Sequence, residues 1–99
     1  MKRSFTLRQK ARDDVKKIWE WTADHYGEPQ ADRLVAAIYD DCLMLVRMPG
    51  IGHRRLDLTR RNSLFWTVGD YYIIFTPDTV PLEIGRIIHA SRDVRNALR

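Results

Sequence analysis

The chain has 99 residues, 44% of them hydrophobic and 30% charged, with a formal net charge of +4. That length fits one domain, and a 10% aromatic content excludes a disordered chain, which cannot bury enough apolar surface to order itself. No run of about 18 uninterrupted apolar residues is present, so no membrane-spanning helix is expected. No apolar block follows the basic Met1-Lys2-Arg3 within Ser4–Asp14, so no secretory signal is expected. The lone Cys42 cannot form an intrachain disulfide, and a cytoplasmic location is the expectation.

The first elements follow from periodicity. Ser4–Arg8 alternates, with Phe5 and Leu7 apolar, and reads as a short strand. Ala11, Val15, Ile18, Trp19, Thr22 and Tyr26 then recur at helical spacing and predict one buried face. Asp13 and Asp14 are expected in the first turn of this helix, where its dipole favours acids, and Gly27 is expected to end it. Pro29 suits the start of a second helix, whose stripe is Ala31, Leu34, Val35, Ile38, Cys42, Leu45 and Val46. Met48-Pro49-Gly50 stops that pattern. Helices joined so closely must run antiparallel, as a hairpin whose apolar stripes need a further layer.

The remaining chain supplies that layer. Pro49–Ser63 reads as a polar loop, and Leu64–Val68 as a strand rich in aromatic and β-branched side chains. Gly69-Asp70 is a two-residue hairpin turn. Tyr71–Thr76 is apolar on both parities, which predicts a central strand covered on both faces. Pro77-Asp78-Thr79 turns the chain and Leu82–His89 forms the last strand. Asp93 can cap a short tail helix holding Val94, Ala97 and Leu98. The order β-α-α-β-β-β, plus a short C-terminal helix, predicts a two-layer α+β domain spanning 1–99, with the helical hairpin packed on a small, mostly antiparallel sheet.

Charge is unevenly spread. Arg54, Arg55, Arg60 and Arg61 face only Asp57 within the loop, and Arg86, Arg92, Arg95 and Arg99 face only Asp93 near the C-terminus. Lysine is absent after Lys17. Arginine forks match carboxylate and phosphate, so an acidic protein or a nucleic acid is the implied class of partner, against the plainer reading of a solvated surface.

Chemical motifs are few. His25, His53 and His89 lack metal-ligand spacing with one another or with Cys42, so neither a metal nor another cofactor is expected. No Ser-His-Asp signature or phosphate-binding glycine loop is present, and Gly50 and Gly52 lie in a loop. Trp21 lies off the apolar stripe, with Lys17 and His25 four residues away on either side; it is either a partner contact or a cover for the sheet edge or second helix. Arg86 shares a face with Ile84 and Ile88 if the last strand is regular. It is then either ion-paired, for example with Asp13 or Asp14, or placed in a functional groove. Arg60, Arg61 and Arg92 are candidates to join it there, and His89 takes the other parity.

Ile18-Trp19-Glu20-Trp21-Thr22, Tyr26-Gly27 and Gln30-Ala31-Asp32 resemble the helical hairpin of ParE-type toxins. Pro49-Gly50-Ile51-Gly52, Tyr72-Ile73-Ile74-Phe75 and Arg86-Ile87-Ile88-His89-Ala90-Ser91-Arg92-Asp93 extend the resemblance over nearly the whole chain, within the RelE/ParE superfamily of type II toxin–antitoxin modules. The resemblance implies a protein that stalls DNA gyrase by binding. It also implies a ParD-like antitoxin with an acidic, flexible tail, and operator DNA met only through the antitoxin complex. Target contacts are then expected at Arg60, Arg61, Arg86, His89, Arg92 and Arg95, and antitoxin anchors at Trp21, Phe65 and Trp66. The RelE-like alternative is a metal-independent, ribosome-dependent endoribonuclease with Arg86 stabilising the transition state and His89 as acid or base. A third reading is a basic adaptor or a degenerate toxin without current activity.

Overall fold

The computed structural model describes residues 4–98; Lys2, Arg3 and Arg99 lie outside them. The chain runs β1 (Phe5–Leu7), α1 (Gln9–Tyr26), α2 (Glu28–Arg47), a 3-10 turn (Pro49–Ile51), β2 (Leu64–Val68), β3 (Tyr71–Thr76), β4 (Leu82–His89) and α3 (Val94–Ala97). The expected two-layer architecture is present, with a helical hairpin laid on a four-stranded sheet of order β1-β4-β3-β2. β1 runs parallel to β4, and the other pairings are antiparallel.

Ala11, Val15, Ile18 and Thr22 of α1 are buried as the repeat predicts. Two details differ. The helix begins at Gln9, so Asp13 and Asp14 fall in its second turn, away from the exposed N-terminal amides, and Asp14 is buried. Tyr26 is 69% exposed because it is the last residue of α1, at the tip of the hairpin. The chain reverses at Gly27, whose φ of 91° is ready only to a residue without a Cβ. Pro29 sits in the first turn of α2, where its missing N–H costs nothing. The indole N–H of Trp19 donates to Asp32 at 2.9 Å and ties the two helices together.

Both faces of the sheet carry a core. Ile73, Phe75, Ile84 and Ile87 pack with Ile38, Cys42 and Leu45 beneath the hairpin. On the opposite face Phe65, Ile74 and Ile88 are closed over by Val94, with Ala97 and Leu98 packed alongside. β3 is therefore covered on both sides, as its apolar run predicts. The β2–β3 hairpin turns at Gly69-Asp70, and the positive φ of 56° falls on Gly69 alone, the pattern of a turn with glycine first.

Two features depart from the regular reading. In β4, Ile84 pairs with Phe75 and Arg86 with Ile74, which leaves Gly85 as an extra residue in a β-bulge. The bulge flips the alternation: Ile84 faces the hairpin, whereas Arg86 shares the far face with Ile88 alone. The Pro49–Ser63 segment also contains more than loop, because His53 and Phe65 exchange backbone hydrogen bonds at 2.8 Å along the outer edge of β2.

Candidate functional site

The bulge at Gly85 aims Arg86 over the edge of the sheet, beyond the end of β1. There its Nε and Nη2 donate to the two carboxylate oxygens of Asp14 at 2.8 and 3.0 Å. Asp14 Oδ2 also accepts the Ile87 N–H at 2.9 Å, and Arg86 Nη1 donates to the Ala97 carbonyl at 2.9 Å. Both side chains are shielded, at 15% and 9% exposure. The bond it donates to Asp14 holds the guanidinium of Arg86 more firmly protonated than usual, against the cost of burial. A forked pair with every charged oxygen and nitrogen satisfied locally is a structural joint between α1, β4 and α3.

The tail helix is built onto this joint. Asp93 caps α3 by accepting the Asn96 N–H. Arg95 reaches across to the Asp57 carbonyl, with Nε at 3.0 Å and Nη2 at 2.7 Å. Asp57 in turn accepts a forked bond from Arg55, which holds the carboxyl below its ordinary value, and Arg55 also donates to the Tyr72 hydroxyl. The tail is thus fixed at both ends.

Clefts open on either side of α3. One, of about 650 Å³, lies between the β1–α1 junction and residues 59–63, with Arg8, Lys10, Arg61 and Arg86 in its walls and Ala97 and Leu98 along one side. The other, of about 380 Å³, is bounded by Arg55, Tyr72, Arg92 and Arg95. Arg8 is paired with Glu83 at 3.1 Å. Among the described residues, no carboxylate pairs with the side chains of Lys10, Arg60, Arg61 or Arg92.

A family model described as "ParE toxin of type II toxin-antitoxin system, parDE" matches residues 5–94. The chain belongs to the ParE toxin family. Among solved structures it is similar to the "Chromosomal ParDE TA system from P. aeruginosa", with a TM-score of 0.76 at 19% identity, covering 90% of this chain and 97% of the other. That likeness establishes the shared fold. No curated protein matches significantly.

Within this ParE fold the expected target residues divide. Arg61 and Arg86 line the larger cleft, Arg92 and Arg95 the smaller one, and Arg60 is exposed beside Arg61. Arg86 and Arg95 are already bonded to other parts of the chain. His89 does not join them. It pairs with Tyr71, which packs on the hairpin-side core, and its Nδ1 lies 2.7 Å from the Ser91 hydroxyl. Arg86 and His89 thus occupy opposite faces of the sheet, as their parities require.

The expected antitoxin anchors divide as well. Trp21 is 51% exposed and stacks on His25, with ring centroids 4.0 Å apart, beside the exposed Tyr26. Trp66 is half-buried, with its indole N–H on Asp41 at 3.1 Å and its ring parallel to His53. Phe65 is 2% exposed, because the tail helix folds over it. Sequence reasoning missed two open apolar side chains, at 50% each: Leu43, off the main stripe of α2, and Met48, the residue that follows the helix. It also missed Lys10. No helix among the described residues is long and apolar enough to cross a membrane, and no group of three or more potential metal ligands occurs among them.

Proposed function

We propose that this ParE-family toxin inhibits DNA gyrase by binding, in the cytoplasm, and is neutralised by a cognate antitoxin with an acidic, flexible tail. Family membership across residues 5–94 carries the reading. Action by binding is supported by the placement of Arg86 and His89. A cleavage mechanism that uses both needs them beside one phosphodiester, and they lie on opposite faces of the sheet.

The molecule offers different chemistry on its two sides. Trp21, Tyr26, Leu43 and Met48 are open on the hairpin and suit the apolar anchors of an antitoxin segment that folds as it binds. Arg60, Arg61 and Arg92 are the cations best placed to meet the target, while Arg86 and Arg95 hold the tail in position.

The test mixes purified toxin, gyrase, supercoiled plasmid and ATP and scores trapped cleavage complexes. Linear plasmid released by denaturation is the expected result. No linear plasmid from folded toxin overturns the gyrase reading, and cleavage of mRNA on ribosomes under the same conditions replaces it with the endoribonuclease reading.

A further inference from the structure

Four exposed cations around the two clefts have neither a carboxylate partner nor a side-chain hydrogen bond among the described residues. Lys10 and Arg61 stand in the walls of the larger cleft, Arg60 neighbours Arg61, and Arg92 lines the smaller cleft. Helix α3 runs between the two clefts, so the cations form a discontinuous band to either side of the tail. The hairpin tip has the opposite balance, with Glu20, Asp24, Glu28 and Asp32 against Lys17 and Arg33. The charge distribution is therefore polar across the molecule, and a polyanion is drawn to one side of it.

The character of that side narrows the polyanion. A folding protein segment needs apolar anchors as well as charge, and none of the large exposed apolar side chains lines either cleft: Trp21, Tyr26, Leu43 and Met48 belong to the hairpin and its end, and Leu56 and Val80 are open singly in loops. Base stacking on a single strand needs exposed aromatic rings. The only aromatic ring lining the larger cleft is Phe75, which is 1% exposed, and Tyr72 in the smaller cleft is already bonded to Arg55. What remains is charge presented by side chains that recognise phosphate oxygens without reading bases.

We infer that this face binds the phosphate backbone of duplex DNA, independently of sequence, through Lys10, Arg60, Arg61 and Arg92. The inference deepens the gyrase reading, because the proposed target is an enzyme that holds DNA, and the toxin then grips the DNA as well as the protein. Arg86 and Arg95 contribute indirectly, by fixing the tail that separates the clefts.

The experiment contains no gyrase, so its failure is distinct from failure of the gyrase reading. Binding of the purified toxin to a fluorescein-labelled DNA duplex of arbitrary sequence is followed by anisotropy at rising salt. Four phosphate contacts give a slope of about −3.6 in log K against log salt, or roughly 100-fold weaker binding from 50 to 200 mM. Lys10→Ala, Arg61→Ala and Arg92→Ala should each reduce the slope by about one, while Lys16→Ala with Lys17→Ala on the hairpin leaves it unchanged. Thermal melts confirm that each variant is folded. Absence of salt-dependent binding by folded toxin overturns the inference, as does binding that these three variants leave intact. Tighter binding of fluorescein-labelled poly-glutamate than of the duplex, at the same salt, also overturns it and assigns the face to an acidic protein segment.

Discussion

Arg86 and Asp14, 72 positions apart in sequence, form a forked ion pair that joins the second turn of α1 to the bulged strand β4, and through the Ala97 carbonyl to the tail. Removal of one partner leaves a shielded charge without its counter-ion. Asp14→Ala is therefore expected to cost about 3–5 kcal/mol in urea unfolding. Asp14→Leu combined with Arg86→Met should recover much of that loss, because the apolar pair has no charge to desolvate. A cost below about 1 kcal/mol for Asp14→Ala shows that the pair is only a surface contact.

Gly52 is constrained by space, since its φ of −67° is open to any residue. A Cβ there would lie 2.7 Å from Phe75 Cζ and 2.8 Å from Leu64 Cβ, both in the core under the hairpin. Gly52→Ala should cost about 1–3 kcal/mol through overpacking. Gly50, two residues earlier, has nothing within 4 Å of the same position, so Gly50→Ala should fall within about 0.5 kcal/mol of the parent. Equal melting temperatures for the two variants contradict this account.

Much of this architecture is legible in the sequence because it depends on short-range periodicity. The buried residues Ile38, Cys42 and Leu45 lie on the predicted stripe of α2, and the doubly covered β3 follows from apolar residues on both parities. The exposure of Trp21 follows from its place off the stripe. What escapes the sequence is set by distant contacts. Ile84-Gly85-Arg86 reads as ordinary alternation, and the bulge that re-aims Arg86 is seen only against the register of β3. The burial of Phe65 depends on the tail folding back from nearly 30 positions away in sequence. The His53–Phe65 bridge has no strand-like residues on the His53 side to announce it. The candidate site is legible as a set of arginines. Their division into bonded and unpaired groups depends on which carboxylates and carbonyls the fold brings near.

The buried Cys42 gives stability a dependence on alkaline pH. Its thiol is pushed up to about 12, first by burial and then by the neighbouring Asp41. In the unfolded chain it titrates near 9.0. Between those values the unfolded state binds fewer protons, so stability is intact below pH 9 and falls as pH rises towards 12. Between pH 9 and 10 this single group should remove about 1 kcal/mol. Urea midpoints compared for the parent and Cys42→Ala should converge over that interval; parallel curves refute the assignment.

Trp21 and Phe65 separate binding from folding. Both are large aromatic residues, but Trp21 is half exposed on the hairpin, whereas Phe65 is sealed beneath the tail. Phe65→Ala removes a core ring and should cost about 3–5 kcal/mol of stability. Trp21→Ala gives up mainly the stack on His25 and should change stability by less than about 0.5 kcal/mol. If the hairpin is the antitoxin surface, the same Trp21 substitution should weaken the antitoxin complex by about 2 kcal/mol, close to 30-fold, because a central aromatic anchor carries a disproportionate share of binding energy. Calorimetric titration of folded Trp21→Ala with the cognate antitoxin measures this directly. Unchanged affinity places the antitoxin elsewhere on the toxin and removes the proposed separation between an apolar antitoxin side and a basic target side.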